Sequence, residues 1–189
     1  MSNLDVAEAA RAVVRRVGIQ ALTLAAVARE AGISRATMYR RYASRDQLVE
    51  AVINAELDAL ETVLLNRLRF TDEPRDTVYM MSREVLNHLA NHDALQAALR
   101  IDGSLLLPWL IRSDDRPTLV DIVADRALSQ VAESPLAQHL TPNPRVAVEF
   151  MVSVIYAELL SPARHQTHAQ LATYIASATV ADRAVYSET

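Results

Sequence analysis

Apolar residues recur at intervals of three and four along the whole chain, and no stretch alternates apolar with polar in the manner of a strand. A chain patterned in this way folds as packed helices, and its punctuation marks where they begin and end. Val6, Ala10, Val13 and Val17 form one stripe over residues 4–17, which Gly18 ends. Thr23 is placed to cap a second, short helix carrying Leu24, Val27, Ala28 and Ala31, with its stop at Gly32. Ser34 caps a third, from Arg35 to about Arg41. Ser44 and Gln47 form a capping box opening a fourth, which runs through Leu48, Val52, Ile53, Leu57, Leu60 and Leu64. Beyond residue 70 proline replaces glycine as the punctuation, mostly after Ser, Thr, Asn or Asp, as in a helix's first turn. The spacing predicts helices near 74–90, 93–101, 116–132, 143–160 and 163–182, with 102–115 irregular. The fold expected is all-α, with a small domain at 1–45 and a larger one at 46–189.

Composition removes several classes of chemistry. The 189 residues include no cysteine, which excludes disulfide frameworks, thiolate nucleophiles and Cys-ligated metals. The three glycines, Gly18, Gly32 and Gly103, are too dispersed for a phosphate loop or a dinucleotide fingerprint. His88 with His92, and His165 with His168, have helical spacing but no obvious third ligand, so no metal is expected. No Ser/His/Asp group or carboxylate pair stands out, and neither catalysis nor a cofactor is expected. The apolar run near Leu105–Ile111 is too short to span a bilayer, and the first residues lack the pattern of a signal peptide. A cytoplasmic protein without membrane contact is the expectation.

Charge is unevenly divided. Residues 1–50 carry eight arginines against five acids, whereas residues 51–189 carry eleven against eighteen, and lysine is absent. A basic amino-terminal segment on an acidic body suggests that one end meets a polyanion.

The strongest local signal is the run from Thr23 to Tyr42, where two short helices meet at a tight turn. Ala28 must be small because the next helix crosses close to it, and Gly32 supplies the left-handed conformation that lets the chain leave the helix. Val27, Ile33 and Met38 supply a shared core. This is a helix-turn-helix, whose second helix enters the major groove of DNA. Arg35 and Arg40 can donate to guanine edges or phosphates, while Thr37 and the methyl of Ala36 can meet thymine or phosphate. Thr23 and Ser34, at the helix starts, are included in the expected contact surface. Tyr39, Tyr42 and Arg45 are suited to phosphate oxygens.

With Thr23, Ala28, Gly32, Ile33, Ser34, Thr37, Tyr39, Tyr42, Ser44, Asp46 and Leu48 in place, residues 5–53 or so resemble the TetR family of bacterial transcriptional regulators. Arg45 stands where that family usually has Lys, Arg41 where His is frequent, and Tyr42 where Phe is commoner. The resemblance implies a three-helix DNA-binding domain followed by a helical effector-binding and dimerisation domain. It further implies a homodimer on a pseudo-palindromic double-stranded operator, repressing until a small molecule releases it.

The remaining residues support part of this independently. Over 145–160 the polar positions Glu149, Ser153 and Tyr156 form one narrow line and apolar residues cover most of the remaining circumference, so two faces must be buried. Val148, Met151, Val152, Ile155 and Leu159 are therefore expected at a dimer interface. The last helix joins them through Leu171, Ala172, Ile175 and Ala178, where small residues permit close approach. An apolar effector pocket is expected from Tyr79, Met80, Met81, Leu105, Leu106, Trp109 and Phe150, with Glu84, His88 and Asp102 as polar contacts. Two other readings remain open: an all-α ligand-binding protein or enzyme with a vestigial helix-turn-helix, and a constitutive DNA-binding protein without an effector.

Overall fold

The structure, a computed structural model, describes residues 3–67, 73–111 and 117–181. Among these residues all regular structure is helical, apart from one isolated antiparallel bridge between Leu140 and Val180. No described helix is long and apolar enough to cross a membrane. The chain forms two compact units: Met1–Val63 with Asn91–Pro108, and Leu64–Ala90 with Trp109–Thr189. These units cut the chain elsewhere than at 45/46, because the first takes in most of the fourth helix and most of the sixth.

In the first unit, α1 (Asn3–Val17) buries Val6, Ala10 and Val13, and stops where Gly18 turns to φ +83°. Its successor α2 (Leu24–Glu30) starts at Thr23, whose Oγ1 accepts the Ala26 N–H at 3.1 Å. It ends in a left-handed glycine cap: Gly32 has φ +66°, Ile33 N–H donates to Ala28 O at 2.9 Å, and Gly32 N–H to Arg29 O at 3.3 Å. Ser34 then caps α3 (Arg35–Arg41), accepting the Thr37 N–H at 3.1 Å. The fourth helix, α4 (Arg45–Arg67), opens with Ser44 Oγ accepting the Gln47 N–H at 3.2 Å, while Gln47 Oε1 reaches back to Ala43 N–H at 2.9 Å. The expected box is thus present but shifted by one amide.

The α6 helix (Asp93–Leu110) contributes its residues through Pro108 to this unit. It extends well past the stop expected at residue 101. Only Asp102 leaves helical geometry, at φ −134° and ψ 35°, and the helix resumes at Gly103. A one-residue break looks like an end in sequence because Asp and Gly are both poor helix formers. The remainder of the expected irregular stretch, 112–115, lies outside the described residues.

Glu56 ties three parts of this unit together. Arg11 of α1 donates to both its carboxylate oxygens, at 2.9 and 3.1 Å, and His92 Nε2 lies 2.8 Å from Oε2. His92 Nδ1 accepts the Leu95 N–H at 3.2 Å, so the ring caps α6 with one nitrogen and donates to Glu56 with the other.

The second unit is built on α5 (Pro74–Ala90), α7 (Leu119–Ala132), a 3-10 turn at Pro135–His139, α8 (Pro144–Leu160) and α9 (His168–Thr179). Val78, Leu86, Val131, Val148, Met151 and Ile175 are central to its core. Two expected starts move. Thr118 and Asp121 form a complete capping box, so α7 begins at Leu119 rather than 116. Thr167 and Gln170 form another, so α9 begins at His168 rather than 163. Pro162 suggests a first turn, but the Glu158 carboxylate accepts the Ala163 N–H at 3.1 and 3.2 Å and satisfies that amide outside a helix.

Burial alone would raise the Glu56 carboxyl, but the His92 hydrogen bond and the Arg11 charge outweigh it and hold it below the usual carboxylate range. A depressed carboxyl stabilises the fold above its unfolded pKa, and that contribution disappears as pH falls through the folded value. Glu56→Gln is expected to cost about 1–3 kcal/mol at pH 7. It should also flatten the stability loss on acidification below pH about 4.5. Urea melts from pH 7 to 3 check both.

Candidate nucleic-acid interface

The second helix of the turn, α3, holds Met38 as its anchor. That side chain is fully buried, alongside Val27 and Ala28 of α2, which are equally inaccessible. With the anchor fixed inward, helical geometry places Arg35, Ala36, Thr37, Tyr39 and Arg40 outward, and all five are exposed. Tyr39 retains 57% of its surface. Among the described residues neither Arg35 nor Arg40 forms an ion pair. Arg40 has only a long contact with Thr37 Oγ1, at 3.5 Å. A helix of seven residues is about 10 Å long and 10–12 Å wide with side chains. That width matches a major groove of about 12 Å.

The other expected contact residues divide. Thr23 and Ser34 are exposed, and each uses its side-chain oxygen to cap a helix; Ser34 Oγ also lies 2.9 Å from Thr37 Oγ1. Tyr42 is placed differently from expectation, with its ring in the core at 7% exposure and the Arg41 guanidinium 5.7 Å from its centroid. Arg45 is partly buried and turned inward. Its Nε donates to Leu22 O at 2.9 Å and its NH2 to Ile19 O at 3.0 Å. The Arg45 guanidinium, expected at a phosphate, here braces the α1–α2 turn. The sequence places a cation beside the recognition helix but does not reveal that two carbonyls lie within its reach.

Other basic residues near the site are occupied. Arg16 pairs with Glu30 at 2.7 Å, bracing α1 against α2, and Arg15 lies 3.6 Å from Glu8. The Glu30 carboxyl is lowered, chiefly by its hydrogen bond from Arg16. Arg29 is exposed and faces solvent in the last turn of α2, a position the sequence does not single out.

The expected effector-pocket residues do not share one environment. Tyr79 packs against the core of the second unit, whereas Met80 is 46% and Phe150 43% exposed. Met81, Glu84, His88 and Trp109 are half-buried, Asp102 accepts the Gln20 N–H at 3.1 Å, and the side chains of Leu105 and Leu106 lie outside the described residues. Tyr156, also in this unit, donates its hydroxyl to Leu110 O at 2.9 Å, and burial pushes its phenol above the ordinary value.

The expected dimer residues divide between core and surface. Val148, Met151, Leu171, Ala172 and Ile175 are buried within the unit's own core. Val152, Ile155 and Leu159 are half-buried, and Ala178 alone among the nine is exposed. The small residues of α9 allow close approach, but the helix they admit is α5 of the same unit. The apolar face left outward consists of Val146, Phe150, Ala157 and Leu160 on α8, with Tyr174 and Ala178 on α9.

His88 lies on α5, whereas His92 lies beyond its end and caps α6. His168 Nδ1 is 2.8 Å from Asn87 Oδ1, and His165 is exposed in the preceding bend. Among the described residues no group of three or more His, Asp or Glu is placed to hold an ion.

Comparison with known proteins gives a consistent result. Residues 6–52 match the family model described as bacterial regulatory proteins, tetR family. The TetR family repressor AlkX from Dietzia sp., implicated in biodegradation of n-alkanes, aligns over 94% of this chain and 92% of its own, with TM-score 0.67 and 19% identity. RolR in complex with resorcinol aligns over 94% and 86%, with TM-score 0.64 and 18% identity. The R. erythropolis transcriptional repressor QsdR, of the TetR family, aligns over 93% of each chain, with TM-score 0.63 and 17% identity. At these identities the likeness establishes the fold. No curated protein matches the chain in sequence.

Arg45→Ala is expected to destabilise the protein by about 1–3 kcal/mol, because it strips a charged donor from two backbone carbonyls. Arg45→Lys should recover only part of the loss, since an ammonium lacks the planar fork that serves both carbonyls. Urea denaturation of the three proteins measures this.

Proposed function

We propose that this chain, which through residues 6–52 belongs to the tetR family of bacterial regulatory proteins, is a sequence-specific transcriptional regulator that represses from a pseudo-palindromic operator. The observation that carries the reading is α3 itself: Arg35, Ala36, Thr37, Tyr39 and Arg40 face outward over a sealed Met38 anchor. Arg35 and Thr37, near the start of the helix, read base edges, while Tyr39 and Arg40 hold phosphates. No catalytic step belongs to this function, and its place is the cytoplasm, where the operator is.

A homodimer supplies the two recognition helices that an inverted repeat requires. Its supporting observation is the outward face of α8 and α9, where Val146, Phe150, Leu160 and Tyr174 are 45, 43, 43 and 61% exposed. A second copy covers these apolar residues with the same surface. The effector is a small, largely apolar molecule bound in the second unit. The resorcinol complex of a protein with this fold is consistent with an effector of that size. Its binding releases the operator by favouring a spacing of recognition helices that the DNA does not match.

Selection of bound duplexes from a random pool with the purified chain is expected to recover an inverted repeat; recovery of none overturns the reading. On that repeat Arg35→Ala should lower affinity by roughly 5–150-fold and relax base preference at one position in each half-site. Arg40→Ala should instead weaken all sequences alike and reduce the salt slope by about one per half-site. Phe150→Glu should shift the protein from dimer to monomer in sedimentation, with melting temperature and helicity retained because the side chain is already on the surface.

A further inference from the structure

The turn joining α1 to α2 is held from two sides. On one side the Arg45 guanidinium, at the head of α4, donates to Ile19 O and Leu22 O. On the other, Asp102 of α6 accepts the Gln20 N–H on Oδ2 at 3.1 Å. The turn itself is short and internally bonded, with Gly18 N–H on Val14 O and Leu22 N–H on Ile19 O, both at 3.0 Å. Gly18 and Ile19 are buried beneath these contacts.

Two backbone features show how closely Asp102 is fitted to the turn. Gly18 adopts φ +83°, and a Cβ there would run into Asp102 Oδ2 and lie 3.0 Å from Ile101 Cγ2. Asp102 is itself the residue at which α6 leaves helical geometry. The break and the left-handed glycine therefore face each other across one contact, and the carboxylate occupies the space that the missing side chain leaves open.

We propose that Asp102 is a positioning residue for DNA binding: its carboxylate fixes the α1–α2 turn, which Arg45 locks to the head of α4. The inference rests on the regulator reading above. The turn feeds directly into Thr23, the cap of α2, and Arg45 lies four residues beyond the end of α3. A turn clamped to both α6 and α4 holds α2 and α3 in one orientation before DNA arrives, so less ordering remains to be done on binding. Asp102 touches no DNA in this scheme. It acts through the Gln20 amide, and what it contributes is a hydrogen-bond acceptor at a fixed point.

The test uses the full chain and the inverted repeat recovered by selection, with Asp102→Ala, Asp102→Asn, Gly18→Ala and the double variant Gly18→Ala/Asp102→Ala. Asp102→Ala is expected to raise hydrogen exchange of the Gln20 amide at least tenfold and to lower operator affinity at least tenfold. Its salt slope should be unchanged, because no phosphate contact is removed. Asp102→Asn keeps an acceptor oxygen at the same place and should restore both readouts to within about threefold of wild type, which loss of charge alone would not allow. Gly18→Ala should lower the melting temperature more in the wild-type background than beside Asp102→Ala, where the obstructing oxygen is gone. Wild-type exchange and affinity in Asp102→Ala would overturn the proposal, and so would equal Gly18→Ala penalties in the two backgrounds. A wild-type protein that selects no duplex overturns the regulator reading as well. A binding wild type with an unaffected Asp102→Ala overturns the positioning role alone.

Discussion

A helix of seven residues cannot hold itself in water, because nucleation is costly and there are too few propagating bonds to offset it. Both α2 and α3 have this length, so the outward surface of α3 exists only while tertiary contacts maintain it. Those contacts are few and identifiable. Met38 is the only buried residue of α3, Ala28 makes room for the crossing, and Gly32 supplies a left-handed exit. Ser34 and Thr23 satisfy amides that would otherwise be unpaired at the helix starts. Everything presented toward a groove depends on this small set, and enlarging any of the buried members would tilt the exposed ones.

The arginines show how a basic segment is partitioned between structure and function. Of the eight in residues 1–50, Arg11, Arg15 and Arg16 lie against acids, Arg41 lies over the Tyr42 ring, and Arg45 holds carbonyls. Arg29, Arg35 and Arg40 remain facing solvent. Net charge therefore overstates the cationic surface by counting groups already committed within the protein. The absence of lysine has a physical reading here. A planar fork can satisfy two acceptors at once, as Arg11 does with Glu56 and Glu8 and Arg45 does with two carbonyls of the turn.

Features set by local chemistry were legible in the sequence. The all-helical fold followed from periodicity, and the caps Thr23, Ser34 and Ser44, the glycine exits at 18 and 32, and the Asn143–Pro144 helix start all involve residues within a turn of one another. Assignments that depend on distant partners were not. The apolar girth of α8 signals two covered faces, but its sequence does not say which face the unit's own core takes; that choice sent Val148 and Met151 inward and left Val146 and Phe150 out. The small residues of α9 likewise signal close approach without naming α5 as the neighbour. Tyr42 and Arg45 were legible as residue types suited to phosphate, but Arg45 is turned inward by the carbonyls of Leu22 and Ile19, more than twenty residues earlier.

The α6 helix shows why the illegible part matters. Its head is tied to Glu56 through His92 and its midpoint to the α1–α2 turn through Asp102. Two polar ties a few turns apart define the course of this part of the helix more closely than a featureless apolar stripe would. The second tie requires the helix to depart from its own geometry at one residue, a local cost that continuous helix would avoid. Asp and Gly at 102 and 103 reduce that cost, since neither favours a helix interior and Asp gains a backbone amide as partner. Gly18 carries the matching concession on the other side of the contact, with a positive φ and no side chain. When two separate segments each depart from regular structure at the point where they meet, the departures are explained together by the contact and by neither segment alone.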